Sequence, residues 1–180
     1  MGLYKRRAAV LKVIVVGQYA VGKTSLCRRY AEDKFESDYK MTIGVDVITR
    51  VTKIPPVGNI VLQIWDMAGQ ERFKVLLPSY FNGARVALAV FDITRKDSFD
   101  AIPFWVKATR EQAGDIPILL VGNKKDLEDQ RNVAYEEGEE LAKKLNLIGY
   151  IEASAKDGKN VKEVFDFPVK YYIERVIKKS

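Results

Sequence analysis

Short apolar runs alternate with longer amphipathic segments along most of this chain, and this alternation limits the possible folds more than any other feature. The apolar runs include LKVIVVG, ARVALAVFD and IPILLVGN, and each is followed by a segment with helical spacing of its apolar residues, such as TSLCRRYAEDKF. Near-continuous apolar strands suit a parallel sheet that helices cover on both faces. We therefore predict an α/β fold with a largely parallel central sheet.

One section breaks this alternation. The runs DVITRVTKI and NIVLQIWD are both strand-like, and the turn-like sequence PPVGN joins them. Two successive strands with such a connection are expected to pair as an antiparallel hairpin. The sheet should therefore be mostly parallel with one antiparallel strand. No repeat or long linker divides the chain, so residues 1–180 are predicted to form a single domain with short basic tails at 1–8 and 176–180.

The amino-acid content restricts the chemistry that the protein can perform. The 180 residues include no histidine and a single cysteine, Cys27. An intramolecular disulfide and a histidine general base are therefore excluded, and any reaction must depend on carboxylates, amides, lysines or a metal ion held by oxygen atoms. The formal net charge of +6 is spread along the chain, which favours a solvated surface over a nucleic-acid interface.

Signals for membrane attachment are weak in this sequence. No apolar run reaches the roughly 18 residues of a membrane span, and the N-terminal sequence MGLYKRR lacks the apolar core of a signal peptide. Arg6 occupies the position where a myristoylation signal needs serine or threonine, and no C-terminal cysteine suits prenylation. We expect a cytoplasmic protein, and leave open a peripheral contact of the two short basic ends with an anionic membrane.

The sequence GQYAVGKTS at residues 17–25 directly follows the run VLKVIVV. Its first eight residues match G-x-x-x-x-G-K-[ST], the P-loop pattern, between a predicted strand and a predicted helix. Glycines let backbone N–H groups approach a triphosphate closely, and the positive end of the following helix faces the anion. Lys23 then places a charge on the outer phosphates, and the Thr24 hydroxyl can ligate Mg²⁺. The pattern predicts a site for nucleotide phosphates without choosing between ATP and GTP.

A second motif, NKKD at residues 123–126, follows the apolar run ILLVG and should lie at the same edge of the sheet as the P-loop. The Asp126 carboxylate can accept hydrogen bonds from N1–H and the exocyclic amine of guanine, and the Asn123 amide can address the far edge of the base. Adenine lacks that pair of donors, so the carboxylate would lose charged hydrogen bonds worth about 1.5–3 kcal/mol each. In SAK at residues 154–156, the Ala155 N–H can meet the guanine oxygen. These motifs predict specificity for guanine.

Between these two motifs lies DMAGQERF, residues 66–73, at the end of a predicted strand. Asp66 is placed to hold Mg²⁺ through a water molecule, and Gly69 offers an N–H where only a residue without Cβ lets a phosphate come close. Gln70 can orient the attacking water. Upstream, Thr42 can give a hydroxyl and an N–H to the metal and the terminal phosphate, although by itself it is equally an ordinary loop threonine.

In these motifs the chain resembles the Ras superfamily of small GTPases, and its Rab-like members most closely. The resemblance covers residues 11 to about 178 and is carried by GQYAVGKTSL, TIGVD, LQIWDMAGQERF, FDIT, VGNKKDL and EASAK, in the order of the family. It implies a six-stranded P-loop NTPase sheet with five parallel strands, flanked by helices. It also implies bound GTP or GDP with Mg²⁺, and effector and regulator proteins that bind through switch I (35–44) and switch II (66–80).

The resemblance implies specific roles for individual residues. Gln70 and Lys23 would be catalytic, and Thr24, Thr42 and Asp66 would hold Mg²⁺. Phe35 lies where the family places an aromatic ring against guanine, and Tyr39 matches a tyrosine that closes over the phosphates. The implied nucleotide contacts are Gly17, Tyr19, Ala20, Val21, Gly22, Lys23, Thr24, Ser25, Phe35, Tyr39, Thr42, Gly69, Asn123, Lys124, Asp126, Ser154, Ala155 and Lys156.

Two departures from the family pattern concern partner proteins. Tyr19 places a bulky ring where relatives carry small residues, near the entry of an arginine finger. Val47 stands where Rab proteins commonly place an effector-contacting phenylalanine, although Trp65 and Tyr80 fit the other members of that aromatic set.

We expect a monomeric switch that hydrolyses GTP slowly. A guanine-nucleotide-dependent binding module with negligible hydrolysis is the alternative, because it would carry the same motifs. A P-loop kinase for a small metabolite is disfavoured by NKKD and DMAGQE.

Overall fold

The computed structural model describes residues 9–36, 42–55, 57–68 and 77–177. Its centre is a six-stranded sheet in the order β2-β3-β1-β4-β5-β6. Every neighbouring pair is parallel except β2 and β3, which run antiparallel. The predicted fold class and the predicted hairpin are therefore confirmed. The strands are β1 Ala9–Val16, β2 Val45–Ile54, β3 Gly58–Met67, β4 Val86–Asp92, β5 Ile118–Asn123 and β6 Gly149–Glu152.

Helices cover both faces of this sheet, and each face has its own apolar core. Alternate residues of β1 point to opposite faces. Val13 and Val15 join a core with Leu26 and Phe165, whereas Ile14 belongs to the core on the other face. The α-helices are α1 Lys23–Glu32, α2 Leu77–Phe81, α3 Lys96–Asp100, α4 Ile102–Ala113, α5 Tyr135–Lys144 and α6 Val161–Ile177, and a 3₁₀ helix spans Lys125–Gln130.

The amphipathic segment SFDAIPFWVKATREQ forms two helices, α3 and α4. Pro103 lies in the first turn of α4. Because proline has no N–H to donate to the preceding turn, it fits the first turn of a new helix better than a helix interior. Ala101 joins the two helices, since its N–H bonds the Asp97 carbonyl and its own carbonyl accepts from Trp105 N–H.

The direction of the strands decides where a functional site can form. The carboxyl ends of the parallel strands lie at one edge of the sheet, and the segments that follow β1, β3, β4, β5 and β6 all emerge there. These segments contain the P-loop, Ala68, the Thr94–Arg95 turn, NKKD and SAK. Among the described residues, we find no helix whose length and apolar content would let it cross a bilayer.

Candidate functional site

A cavity of about 700 Å³ opens at this edge of the sheet, and the predicted motifs line it. The P-loop and the first turn of α1 form one wall, Thr42 and Ala68 lie at another, and NKKD and SAK close the remaining side. Its lining includes Tyr19, Ala20, Gly22, Lys23, Thr24, Ser25, Phe35, Thr42, Asn123, Lys124, Asp126, Ala155 and Lys156. The fold therefore brings motifs that are distant in sequence to one concave site.

The backbone of the P-loop adopts conformations that favour glycine. Gly17 and Gly22 have φ values of +145° and +92°, and Ala20 lies in the left-handed region with φ 59°. A Cβ on Gly22 would stand 2.2 Å from the Asn123 side-chain nitrogen. The glycine at this position thus lets the P-loop and the NKKD segment approach each other closely.

Side-chain donors bind the carbonyl groups of five successive P-loop residues. The Lys23 ammonium donates to two of these carbonyls, and three other side chains each donate to one. The bonds run from Lys23 Nζ to Gly17 O (2.9 Å) and Gln18 O (2.7 Å), from Arg95 Nη1 to Tyr19 O (2.9 Å), from Lys124 Nζ to Ala20 O (3.0 Å) and from Asn123 Nδ2 to Val21 O (2.9 Å).

The N–H groups of the same loop have no such partners. Across the described parts of the chain, the N–H groups of residues 18–22 donate no hydrogen bond to backbone or side-chain acceptors. Successive backbone N–H groups at a helix N-terminus that lack protein acceptors form an anion site. The loop therefore has the donor arrangement that a phosphate chain needs.

Lys23 places a buried positive charge against this loop. Its side chain is 6% exposed, and burial lowers its pKa to about 8, although the Asp66 carboxylate acts to raise that pKa. The two carbonyl acceptors keep the ammonium at the base of the P-loop. A phosphate anion would supply the strong acceptor that the buried ammonium now lacks.

Asp66, Thr24 and Thr42 form a cluster of oxygen atoms beside Lys23. Asp66 is fully buried; its Oδ2 accepts a short hydrogen bond from Thr24 Oγ1 and lies 3.5 Å from Thr42 Oγ1, and the two hydroxyls are 2.8 Å apart. Burial raises the Asp66 pKa, and the Thr24 hydrogen bond opposes that rise. Asp66 Oδ1 has no partner in the described structure. A buried carboxylate oxygen without a partner next to two hydroxyls suits a hard cation such as Mg²⁺.

The opposite end of the cavity combines NKKD with SAK. Ser154 Oγ donates to Asp126 Oδ1 at 2.7 Å, which leaves the second carboxylate oxygen for a ligand. The Asn123 amide donates to the Val21 carbonyl and accepts from the Ala155 N–H at 3.3 Å. Because both ends of this amide bond protein groups, it links the P-loop to SAK, and its contact with the base stays a prediction.

A comparison with protein families agrees with this geometry. The family model described as Ras family matches residues 12–173. The chain belongs to the Ras family. The protein is therefore a small GTPase, a hydrolase that binds GTP and GDP and acts as a switch for effector and regulator proteins. The predicted superfamily is confirmed by this match.

Some of the predicted site residues of this Ras-family chain do not line the cavity, and others lie outside the described residues. Gly17, Val21 and Ser154 do not line the cavity. They support it through their hydrogen bonds with Lys23, Asn123 and Asp126, respectively. The predicted residues Tyr39, Gly69 and Gln70 lie outside the described ranges, as do parts of both switch segments.

Two arginines next to the site have no counterpart in the predicted residue set. Arg29 of α1 donates to the Ala155 carbonyl (2.8 Å) and the Lys156 carbonyl (2.7 Å), and thus ties SAK to α1. Arg95 holds the P-loop. Neither belongs to a nucleotide motif, so only the residue type at a sheet-edge position could have suggested them.

A second network supports the base end of the Ras-family site. Glu152, at the end of β6, is 3% exposed and accepts hydrogen bonds from Arg131 (2.7 and 2.8 Å), Tyr150 (2.7 Å) and Lys125 (3.1 Å). Burial acts to raise the Glu152 pKa, but these hydrogen bonds outweigh it and hold that pKa below its ordinary value. Lys125 lies inside NKKD, so the network fixes that motif to the last strand.

We expect Glu152→Gln to change how stability depends on pH. The pKa of Glu152 is lower in the folded protein than in the unfolded chain, where it is about 4.5. The ionised carboxylate therefore stabilises the native state above pH 4.5, and this stabilisation is lost as the pH falls through the pKa of the folded protein. The variant should be about 1.5–3 kcal/mol less stable at pH 7, because a buried carboxylate loses charged hydrogen bonds, and this difference in stability should narrow in acid. Urea unfolding at pH 7 and pH 3.5 tests this, with the exposed Glu140→Gln as control. A constant difference at both pH values would contradict the assignment.

Proposed function

We propose that this protein is a Rab-like, Mg²⁺-dependent switch that hydrolyses GTP slowly as a monomer, with residues 1–180 forming one G domain. The observation that carries the proposal is the P-loop, whose carbonyls are bound by side-chain donors and whose N–H groups have no described partner, in one cavity with Lys23 and Asp126. This arrangement supports simultaneous binding of a phosphate chain and a base that offers two donors.

Binding of the phosphates is the first step that these residues would perform. The P-loop N–H groups would donate to the phosphate oxygens, and Lys23 would exchange its two carbonyl acceptors for the outer phosphates. Thr24, Thr42 and Asp66 are the oxygen donors that would hold Mg²⁺. When bound, Mg²⁺ would neutralise charge that develops on the phosphate oxygens.

Recognition of guanine would depend on the Asp126 carboxylate. Ser154 fixes this carboxylate through a hydrogen bond to one of its oxygens. In the same motif, the Lys124 ammonium lies 2.7 Å from the Asp92 carboxylate. A preorganised carboxylate discriminates strongly because an adenine would leave it without donors. Phe35, 37% exposed at the cavity wall, would cover the base with its ring.

Hydrolysis would depend on Gln70, which would orient the attacking water toward the terminal phosphate. We expect a slow intrinsic rate because Arg95, the arginine that contacts the P-loop, already donates to Tyr19, Gln18 and Asp97. Arg95 is therefore held by protein acceptors and does not serve as an arginine finger for the charge that develops during phosphoryl transfer. Loss of the terminal phosphate would release Thr42 and Gly69, and both switch segments would change their affinity for partners.

Partner binding through switch I (35–44) and switch II (66–80) would resemble that of Rab-like proteins. Trp65 and Tyr80 have ring centroids 6.5 Å apart, and Val47 lies opposite Trp65 in the β2–β3 register. The Val47 side chain is 44% exposed, so an effector could contact it. Valine in place of a larger ring would select different effectors.

The proposal predicts that Gln70→Leu lowers the rate of GTP hydrolysis by about tenfold or more, since the water would lose its orienting group. Phosphate release from GTP with Mg²⁺ is followed over hours for both proteins. Gln112→Leu, which changes an exposed glutamine of α4, is the matched control, and ATP is the substrate control.

Three results of this assay separate the alternatives. Slow, GTP-specific release that falls in the Gln70 variant supports the switch. Tight binding of GDP by a wild-type protein that releases no phosphate from GTP would favour a guanine-nucleotide-dependent binding module. Equal hydrolysis of ATP would refute the role given to Asp126.

A further inference from the structure

Arg95 contacts the P-loop from outside all of the nucleotide motifs. It follows β4 and directly precedes α3. Its Nη1 donates to the Tyr19 carbonyl at 2.9 Å, and its Nη2 donates to Gln18 Oε1 at 2.9 Å and to Asp97 Oδ2 at 2.8 Å. The guanidinium thus joins two consecutive P-loop residues to the start of α3. A lysine ammonium lacks the planar fork that makes these contacts together.

The Tyr19 side chain completes this contact. The Arg95 guanidinium carbon lies 5.1 Å from the centroid of the Tyr19 ring, which is within the range of a cation–π interaction. The ring is 49% exposed and lies at the cavity wall. Arg95 therefore contacts both the backbone and the side chain of Tyr19, although about half of the Tyr19 side chain remains exposed to solvent.

The backbone at this point needs external support. Ala20, the next residue, adopts φ 59°, which costs a non-glycine residue of order 1 kcal/mol or more. Lys124 holds the Ala20 carbonyl, and Arg95 holds the carbonyl before it. Without Arg95, the Tyr19 carbonyl would lose its donor, and the peptide between Tyr19 and Ala20 would be less restricted. The N–H of this peptide belongs to Ala20, which lines the cavity and has no described acceptor for that N–H.

We infer that Arg95 is a positioning residue of the phosphate-binding loop, which slows nucleotide dissociation by holding Gln18 and Tyr19 so that the loop N–H groups stay directed at the phosphates. The inference rests on the proposed function of this cavity. Because its three described acceptors are protein groups, Arg95 acts through the loop rather than on the substrate. Its loss should therefore affect nucleotide retention more than the hydrolytic step.

The rate of dissociation of a fluorescent GDP analogue tests this role. We expect Arg95→Ala to raise that rate about tenfold, the effect of losing one charge-assisted hydrogen bond. Arg95→Lys should restore part of the loss, because an ammonium can reach one acceptor but not the whole set. Single-turnover hydrolysis of GTP by Arg95→Ala should fall by a much smaller factor than dissociation rises.

The matched control is Arg110→Ala. Arg110 donates to the Leu145 and Asn146 carbonyls at 2.6 and 3.2 Å, so it also ties a helix to loop carbonyls, but away from the cavity. Its removal should leave GDP dissociation within about twofold of the wild type. Should Arg95→Ala fail to fold, Gln18→Ala removes a single acceptor of Arg95 and is expected to raise the dissociation rate by a smaller factor.

Two results would overturn the inference about Arg95, and a third would refute the proposed function. An Arg95→Ala protein that folds and releases GDP at the wild-type rate would overturn the inference. So would a fall in hydrolysis with unchanged dissociation, since that result would place Arg95 on the reacting phosphate. A wild type that does not retain GDP would instead refute the proposed function, and the inference with it.

Discussion

Replacing Asp126 with asparagine should lower the affinity for GDP by about a hundredfold or more, because two charge-assisted hydrogen bonds to guanine are lost. The same change should raise the affinity for xanthosine diphosphate. Ser154 donates to Asp126 Oδ1, and an asparagine oxygen in that place would keep this bond. The asparagine NH₂ would then face the base, where it can donate to the oxygen that xanthine carries in place of the guanine amine.

Competition between the two diphosphates for the same protein measures this exchange of specificity. Asp129→Asn is the matched control, because Asp129 is an exposed carboxylate one 3₁₀ turn further along the chain. It makes the same change of charge without reaching the cavity. An equal loss of affinity for both diphosphates in Asp126→Asn would indicate a damaged loop. An unchanged affinity for GDP would refute guanine recognition by Asp126.

The sequence predicts the layout of this molecule well because the two strongest signals are local. Apolar runs such as VALAVFD become strands that are buried along their whole length, and the hairpin follows from two strand-like runs with a short turn. Each nucleotide motif is also contiguous, so Lys23, Asp66 and Asp126 can be recognised without a structure. Parallel strands then place their carboxyl ends together.

The contacts that hold the motifs in place are not local, and the sequence pattern does not reveal them. Arg95 bonds Gln18 and Tyr19 from more than seventy residues away in sequence, with separations of 77 and 76. Arg29 reaches Ala155 across a separation of 126 residues. Each is an arginine beside a sheet edge, a common situation on protein surfaces, and only the three-dimensional arrangement gives it a specific partner.

The break between α3 and α4 has a different cause. Helical periodicity continues through SFDAIPFWV, and the apolar residues on both sides of the break, Phe99 and Ile102, pack into one core. Periodicity therefore does not mark the position of the break. Pro103 decides the outcome through its missing N–H, a local effect that outweighs the pattern at one position.

Gly17→Ala is expected to be the most damaging single-methyl change in the P-loop. Gly17 directly follows β1, whose last residue, Val16, pairs with Ala89 of β4. A Cβ on Gly17 would lie 2.2 Å from the Val90 carbonyl oxygen of the same strand. Because that oxygen belongs to the backbone of a central strand, the clash can be relieved only by moving the P-loop away from β4.

We expect Gly17→Ala to lower the free energy of unfolding by about 3 kcal/mol, through steric strain and the φ of +145° together. Gly114→Ala is the matched control, since Gly114 also has positive φ, +77°, but its Cβ would meet no atom within 4 Å. That variant should lose about 1 kcal/mol, the cost of the backbone conformation alone. Urea unfolding without nucleotide gives both values.

The same pair of variants separates damage to the sheet from damage to the phosphate site. Bound GDP stabilises a native state in proportion to the logarithm of its affinity. If the P-loop has moved, the stability that saturating GDP adds to Gly17→Ala will be smaller than the stability it adds to Gly114→Ala. Equal gains would mean that the P-loop keeps its geometry in Gly17→Ala, which would contradict the displacement expected from the contact with Val90.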